Sequence, residues 1–408
     1  MCKRVCFLLT EHPFLDARIF KKEAKSLLNH GFKVTMIVPR KKGYLFDVDG
    51  SLFHDSFRSE EFVHDGIKVI TYEQNNPEKT IKNLLYNLRS GTSTRFTDPL
   101  TQLGIAQEAD IYHAHEFFSL YSGIGIKRAL ASMGKNSKLI YDSHELEPDP
   151  LVPQASSMRK NKMQMLNNMV KEVDHVITVS ESIKSWFLTL HPQLPVEIIY
   201  NSPPLAREFE PGQGNNSELL MAYEGRIDQK SGSFNKLMDV LEKCNKRFKL
   251  HVILIGGSTN SQKDLQIPSH LKDNVIHTGW MSYDLIPRVM KNVDLGWVDL
   301  DARASLNKRF AMPNKFFSYL NNGVPVLVNQ CTDMERFIQA HKCGYVVKKL
   351  QATAEDYVQA LYFLHSNRSK INEMSLHARK VMESQFSWEH MENKLYRVYE
   401  KLAKNIDI

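Results

Sequence analysis

The sequence predicts an α/β protein built from two doubly wound domains, because short apolar runs alternate with amphipathic stretches along almost all of its 408 residues. A second observation is the segment NSPPLAREFEPGQGNNSE, Asn201 to Glu218, whose Pro, Gly and Asn content marks a linker in the middle of that series. Length is the third, since a chain of this size exceeds one ordinary core at roughly 100–200 residues per domain. Each side of the linker therefore carries its own strand and helix series.

In the first series, Val5 to Leu9 is a β run followed by the loop Thr10 to Asp16. A helix from Ala17 to His30 follows, with Ile19, Phe20, Ala24, Leu27 and Leu28 on one stripe; Gly31 ends it and Val34 to Val38 is the next strand. This βαβ unit requires a crossover and hence a parallel sheet. Residues 41 to 65 read as irregular and polar, Ile67 to Thr71 as a strand and Ile81 to Leu88 as a helix. The strand Asp110 to His113 runs into HAHEFF, the helix Tyr121 to Met133 follows, and Lys138 to Tyr141 runs into DSHELEPDP. Met158 to Lys171 is an amphipathic helix, His175 to Val179 a strand, and Ser180 caps the helix Glu181 to Leu190 before a last strand, Glu197 to Tyr200.

The second series opens with the strand Leu219 to Tyr223, the polar loop Gly225 to Ser233 and the helix Phe234 to Lys243. Lys249 to Ile255 is a strand ending in Gly256 and Gly257, Val275 to Thr278 a short strand, Tyr283 to Lys291 a helix and Leu295 to Val298 a strand. AMPNKFFSYLNNGVPVLV, Ala311 to Val328, reads as a loop, a helix over Asn314 to Asn321, a glycine turn at Gly323 and a buried β run. Pro313 suits a helix opening because its missing N–H would be unpaired there, and Gly323 suits its end. A helix start at a sheet edge offers free N–H groups and a positive dipole end, which is a phosphate site. Gly344 to Val347 is a further strand, and the last forty residues are helical. Trp388, Met391, Leu395, Val398, Tyr399 and Leu402 form one apolar stripe that calls for burial within the chain or against a partner.

Composition narrows the class. With 42% hydrophobic and 24% charged residues the chain is globular rather than disordered. Its five cysteines (Cys2, Cys6, Cys244, Cys331, Cys343) are scattered without a CxxC pair, which fits reduced thiols in the cytoplasm. The apolar part of MCKRVCFLLTEH is too short for a signal peptide, and no apolar run reaches the roughly 18 residues of a membrane span. A soluble cytoplasmic chain is expected. Residues 1 to 42 hold ten Lys/Arg against three Asp/Glu, so this lobe either meets an anionic membrane surface or acceptor at its periphery or is a solvated face.

Two tandem doubly wound domains bind ligands at the carboxyl ends of their strands, so four loops are candidates: Thr10 to Arg18, His113 to Phe118, Asp142 to Asp149 and Gly225 to Gly232. In HAHE the period of two puts His113 and His115 on one side, with His144 near them. These imidazoles could act as acid, base or hydrogen-bond partners, could ligate zinc, or could be structural. GRIDQKSG places Arg226 and Lys230 beside Gly225, a fork and a point charge suited to a diphosphate. Lys315 follows Asn314 at the start of a helix, where a cation is unfavourable unless an anion compensates it. No GxxxxGK[ST] is present, and GIG at Gly123 to Gly125 lacks the third glycine and acidic partner of GxGxxG. The basic residues are not interleaved with aromatic ones, so nucleic acid is not an expected partner.

The order of HPFLDARIFKKEAKSLLNHGFKVTMIVP, DIYHAHE, YDSHELEPD, VITVSESI, IYNSPP, GRIDQKSG and MPNKFFSYLNNGVPVLV resembles glycosyltransferase family 4, with its two-domain GT-B fold. The resemblance implies domains at 1–203 (acceptor side) and 204–384 (nucleotide-sugar side), facing each other across a cleft, and a terminal helix at 385–408, beginning at FSWE, that packs back on the first. It implies transfer of a sugar from a nucleotide-diphosphate sugar to an acceptor hydroxyl, on a glycan or on a lipid-linked or envelope polysaccharide precursor. Retention at the anomeric carbon, no metal and no cofactor beyond the donor substrate are also implied. By motif, His115 corresponds to the histidine near the reacting sugar, and Arg226 and Lys230 to the diphosphate pair. Gly225, Gly256, Asn314, Lys315 and Ser318 fall on the donor side, and Asp16, Arg18, Glu116 and His144 on the acceptor side.

The family's Glu, seven residues, Glu pattern would place carboxylates where this chain has Phe310 and Ser318. Ser318 can still accept a hydrogen bond from a donor hydroxyl, but neutrally and over a shorter reach. Two other readings therefore stay open: a catalytically silent nucleotide-sugar-binding scaffold subunit, and a nucleotide-sugar epimerase of similar form.

Overall fold

The computed structural model describes residues 3–74, 80–207, 209, 217–227, 233–257 and 265–406. The chain divides into two compact units: Met1–Tyr200 together with Met391–Ile408, and Asn201–His390. Each is a parallel-dominated sheet covered by helices, as the alternation of apolar runs and amphipathic stretches requires.

In the first unit the strands are β1 (Arg4–Leu9), β2 (Lys33–Arg40), β3 (Glu61–His64), β4 (Ile67–Glu73), β5 (Ile111–His115), β6 (Lys138–Ser143), β7 (His175–Thr178) and β8 (Val196–Ile198). They lie in the order β3-β4-β2-β1-β5-β6-β7-β8, parallel except for β3 against β4. The chain winds outward from β1 in one direction and resumes at β5 in the other. This reversal puts the topological switch point at the carboxyl ends of β1 and β5, where doubly wound sheets open a ligand crevice. β1 and β5 are buried almost throughout, so both faces of the sheet are covered.

The hairpin β3–β4 is the antiparallel pair of this sheet; β4 is the strand expected at Ile67 to Thr71, whereas β3 occupies a stretch that the sequence reading leaves irregular. Its signal is nevertheless local: Asp65-Gly66 sits between the strands with φ of 50° and 80°, the positive pair that a two-residue hairpin turn demands. GIG at 123–125 also finds its reason. In the helix Phe117–Ser132 a Cβ on Gly123 would lie 2.7 Å from Leu139 and one on Gly125 2.5 Å from Phe96, so these glycines serve close packing.

The second unit holds β9 (Glu218–Glu224), β10 (Lys249–Ile255), β11 (Val275–Gly279), β12 (Leu295–Val298), β13 (Val326–Asn329) and β14 (Gly344–Val347), in the order β11-β10-β9-β12-β13-β14 and all parallel. Its switch point lies between β9 and β12, so the residues just after β9 head its crevice. The expected helix Asn314–Asn321 lies between β12 and β13 within the loop-helix-strand unit foreseen for Ala311 to Val328. The structure adds the helices Pro99–Gln107, Thr332–His341 and Ala354–His365, and the helix Arg368–Val381 falls where the last forty residues were expected to be helical.

The apolar stripe of the last helix, Trp388–Lys404, is covered: Trp388, Met391, Leu395, Val398, Tyr399 and Leu402 are all buried. From Met391 onward this helix belongs to the first unit. Among the described residues no helix is long and apolar enough to cross a membrane.

Folding takes part of the N-terminal basic run inside, while Arg4, Lys21, Lys33, Lys41 and Lys42 stay exposed. Arg18, Lys22 and Arg40 are buried, Arg4 and Lys25 pair with Asp110 and Asp65, and Arg40 donates to the carbonyls of Gly43, Phe57 and Ser59. A charge count along the sequence cannot separate such internal cations from surface ones.

Candidate active site

In the first unit the carboxyl ends of β1, β5 and β6 bring together a dense polar cluster. Arg18, at the opening of the π-helical stretch Ile19–Ala24, is buried and clamps Asp142 at the end of β6. Its Nε and Nη2 donate to Asp142 Oδ2 at 3.2 and 3.0 Å, and Nη2 also reaches Oδ1 at 3.1 Å. Arg18 Nε lies 2.9 Å from Glu23 Oε1, and Nη1 donates to the Ile199 carbonyl at 2.8 Å. His113 and His115, fully buried on β5, stack with ring centroids 4.3 Å apart. Their period-two placement on one side of the strand is as expected.

His113 shares Nδ1 with the Tyr399 hydroxyl at 2.7 Å and turns Nε2 toward Asp142 Oδ2 at 3.6 Å. His115 Nδ1 meets His144 Nε2 at 3.3 Å, and His144 Nε2 is 3.2 Å from Asp142 Oδ2. Burial alone would raise the Asp142 carboxyl, but Arg18, His144 and His113 hold it well below the carboxylate range. Burial lifts Glu23 well above its ordinary value despite Arg18. Burial, with His113 beside it, pushes His115 well below the imidazole range. The cluster thus sets the Arg18 guanidinium against Asp142, while burial disfavours the charged forms of Glu23, His113 and His115.

Closer to solvent lies a second shell of the same cluster. His12 follows β1, Glu116 follows β5 and His144 follows β6, with side chains 22%, 13% and 12% exposed. His12 Nε2 and His144 Nδ1 approach the same oxygen, Glu116 Oε1, at 3.5 and 3.6 Å. Glu116 adopts φ 74°, a conformation that costs a non-glycine residue of order 1–3 kcal/mol and concentrates at functional sites. Asp16 caps the turn below, accepting from the N–H groups of Arg18 and Ile19.

Of the acceptor-side candidates, Asp16, Glu116 and His144 therefore gather at the switch point with the unforeseen His12. Arg18 is committed inside to Asp142 and Glu23. His115 lies directly beneath His144 rather than at the surface.

In the second unit β9 ends in Tyr223-Glu224-Gly225-Arg226. Gly225 (φ 111°) and Gly256 (φ 118°) face each other so closely that a Cβ on Gly256 would lie 2.2 Å from the Gly225 carbonyl oxygen. Only glycine serves at such an approach. Arg226 is exposed. Lys315, in the first turn of the helix Asn314–Asn321, holds Nζ 4.1 Å from the Tyr223 ring centroid, a cation–π contact, and lies against Gly225. Burial pushes the Lys315 ammonium down to about 8, opposed by Glu224. Burial pushes the Glu224 carboxyl up to about 7, against a hydrogen bond from Ser318 and the charge of Lys315.

Glu224 Oε2 is buried without a hydrogen-bond partner, and the Glu224 N–H donates to the Tyr319 hydroxyl at 2.7 Å. Tyr319 reaches that position because Gly296 leaves room: a Cβ there would stand 2.2 Å from the Tyr319 ring. Gly225, Arg226, Gly256, Lys315 and Ser318 thus gather at the end of β9, while the Asn314 side chain is exposed at the helix start. Lys230 lies outside the described residues.

Residues 17–207 match the family model described as Glycosyltransferase Family 4. Over that segment the chain is of the family 4 glycosyltransferase type. Residues 231–383 of this glycosyltransferase match a separate model, the Glucosyltransferase 3-like C-terminal domain. No curated protein matches the chain at a significant level.

Solved structures share the GT-B fold of this glycosyltransferase at low identity. The sucrose-phosphate synthase of Thermosynechococcus elongatus is 14% identical with a TM-score of 0.70, covering 99% of this chain and 100% of its own. The Anabaena protein HepE, solved with UDP-glucose, is 13% identical with a TM-score of 0.65, covering 98% and 100%. A glycosyltransferase from Rickettsia africae is 16% identical with a TM-score of 0.64, covering 99% of both chains.

Glu224 is the residue at the end of β9 that sequence reasoning passed over. Its signal, a lone acid closing an apolar strand directly before Gly-Arg, was present in MAYEGR. His12 was missed because one histidine in a polar loop carries no pattern.

Proposed function

We propose that this glycosyltransferase moves a sugar from a nucleoside-diphosphate sugar to a carbohydrate hydroxyl, on a glycan or a lipid-linked saccharide, with retention at the anomeric carbon. The observation that carries the reading is Lys315: a half-buried cation at a helix start, beside Gly225 and the exposed Arg226, pushed down by burial and awaiting an anion. Departure of a diphosphate builds negative charge on its oxygens, and two cations plus free helix N–H groups are what stabilises it. The leaving diphosphate needs no metal when these groups meet it. Ser318 and Glu224 present a hydroxyl and a carboxyl beside them, suited to hydroxyls of the donor. The HepE structure with UDP-glucose supports a uridine nucleotide as the first donor to try.

On the other unit, Glu116 and His144 are proposed to receive the acceptor hydroxyl, with His115 and Asp142 behind His144 fixing its orientation. Calorimetric titration with UDP, UDP-glucose and other nucleotide-sugars tests the donor half. Arg226→Ala should weaken diphosphate binding roughly tenfold to a hundredfold, the scale of about 1.5–3 kcal/mol for a charged hydrogen bond. An unchanged affinity removes Arg226 from the site. Proton NMR of the product's anomeric coupling tests retention, and binding without turnover toward any acceptor favours a silent scaffold subunit.

A further inference from the structure

We propose that the paired helices Ile81–Arg89 and Ser156–Met169 of the first unit, with the loop that leads into the second of them, form a docking surface for an anionic lipid bilayer. The surface uses none of the residues assigned above to donor or acceptor, and none of the N-terminal basic run.

Composition singles the surface out. The chain as a whole is nearly balanced, with 53 Lys/Arg against 46 Asp/Glu, yet residues 80–97 and 150–171 contain no Asp or Glu at all. In Ile81–Arg89 the side chains of Ile81, Leu85 and Leu88 are buried, whereas Lys82, Tyr86 and Arg89 fall at i, i+4 and i+7 and are exposed together. Arg95 returns to this face and sets its guanidinium 4.3 Å from the Tyr86 ring centroid. The two helices pack against each other, and Arg89 Nη2 donates to Gln164 Oε1 at 2.9 Å across the seam. Lys160 is exposed one turn before Gln164, and Lys171 is exposed in the turn after the helix. Lys162 is buried and turns inward to Glu147 at 2.8 Å, so it stays outside the surface.

Five exposed cations thus lie on one helix pair, and among the described residues none of them meets a carboxylate. Other exposed lysines of this unit are neutralised, since Lys25 is held by Asp65 and Lys135 by Glu108. The acids that follow Lys171 are already taken: Glu172 by Arg128 and Asp174 by Lys127. Like charges left unpaired repel one another in solution, and an anionic surface relieves that repulsion.

A soluble polyanion would answer the charge but not the apolar side chains set among it. Tyr86 is 62% exposed, Leu151 41% and Val152 40%. The Val152 carbonyl accepts from Arg159 Nη2 at 3.0 Å, which ties this apolar pair to the start of the basic helix. Cations for lipid headgroups and apolar side chains for the acyl boundary are the two signals that together hold a protein at a bilayer interface. Arg95 covers one face of the Tyr86 ring, which leaves it poorly placed to stack a nucleobase, whereas its amphipathic ring suits the headgroup level. Leu151 and Val152 belong to the loop between β6 and Ser156–Met169 that also carries His144. Docking through them brings the crevice of the first unit to the bilayer, where the hydroxyl of a lipid-linked saccharide lies. That consequence rests on the acceptor reading above; the docking itself does not.

The experiment reads docking alone, with no nucleotide or acceptor present. Full-length protein is mixed at physiological salt with vesicles of phosphatidylcholine, or of equal parts phosphatidylcholine and phosphatidylglycerol, and the bound fraction is followed by co-sedimentation. Binding is expected to the phosphatidylglycerol vesicles only, and to weaken as salt is raised. Each cation near an anionic surface is worth about fivefold in affinity, so Lys82→Gln, Lys160→Gln and Lys171→Gln together should weaken binding about a hundredfold. Tyr86→Ser with Leu151→Ser should weaken it about tenfold. A matched control, Lys21→Gln, Lys33→Gln and Lys42→Gln, removes the same charge from the exposed N-terminal run and should stay within about twofold of wild type. All of the substituted side chains are exposed, and circular dichroism melting verifies that each variant is folded. Equal binding to both kinds of vesicle, unchanged binding in the first lysine variant, or equal losses in the two lysine variants overturns the proposal. So does an affinity for inorganic polyphosphate that matches that for the vesicles and is insensitive to Tyr86→Ser with Leu151→Ser, since it assigns the surface to a soluble polyanion.

Discussion

Replacing Glu224 by Gln should stabilise the second unit at neutral pH and leave it unchanged in acid. The wild-type carboxyl rises from an ordinary 4.5 to about 7 because it is buried, only partly compensated by Ser318 and Lys315. A folded-state value above the unfolded one means that folding favours the protonated acid. Its contribution is fully present below pH 4.5 and is lost as pH rises to about 7, where the loss levels off. One pH unit corresponds to about 1.4 kcal/mol, so the full span is on the order of 3 kcal/mol. Glutamine has the shape of the protonated acid and never ionises, so it escapes that loss.

The assay is urea unfolding followed by tryptophan fluorescence between pH 4.5 and 8.5, since Trp280, Trp297 and Trp388 all belong to the second unit. The variant's advantage should be near zero at pH 4.5, grow through the window and level off above pH 7. A difference that does not vary with pH would falsify the argument that Glu224 ionises at a cost.

Three further outcomes follow from the same geometry. Lys315 loses its proton near pH 8, so UDP affinity should fall as pH rises through that value, up to tenfold per pH unit, and Lys315→Met should flatten the dependence; calorimetry across pH 6.5–9.5 reads both. Asp142→Asn leaves Arg18 buried without its full counter-charge and should cost about 3–5 kcal/mol in the first unit, seen as earlier exchange of the β5 and β6 amides, whereas a shift below about 1 kcal/mol would show that Glu23 suffices. Gly296→Ala drives a methyl into the Tyr319 ring and should cost about 1–3 kcal/mol by urea unfolding while weakening UDP binding, because Tyr319 carries the end of β9 through its hydroxyl; full stability with full affinity would show that the ring simply moves aside.

What was legible in the sequence was whatever is encoded locally. The strands β1, β2, β10 and β12 are short runs of apolar and β-branched residues bounded by turn signals, and Ser180 caps its helix as expected, accepting from the Ile183 N–H at 3.3 Å. The edge strand β3 was missed although Asp65-Gly66 announces a hairpin before the expected strand β4, since His64 and Glu61 made it look polar. An edge strand is solvated on one side, so its alternation is weak. The buried network was out of reach for a different reason. Arg18 meets Asp142 across 124 positions and His113 meets Tyr399 across 286, and no periodicity encodes such pairings. Part of the N-terminal charge run was illegible in the same way, because Arg18 and Arg40 look like surface residues until their partners are known.

Ser318 carries less weight than its position in the sequence suggests. A carboxylate looks absent there only while the helix Asn314–Asn321 is read by itself. Folding sets the end of β9 against that helix, and Glu224 accepts a hydrogen bond from the Ser318 hydroxyl with one oxygen still unpartnered. The pair differs from a lone glutamate on the helix in one respect that matters. Its carboxyl is buried in an apolar strand end and titrates near neutrality, whereas an exposed glutamate is ionised throughout that range. Near pH 7 Glu224 can accept a hydrogen bond as the carboxylate or donate one as the acid, and Lys315 close by tips the balance toward the charged form. Polar recognition at this helix is therefore a property of the strand, the serine and the lysine together, and substitution of Ser318 alone does not reveal it.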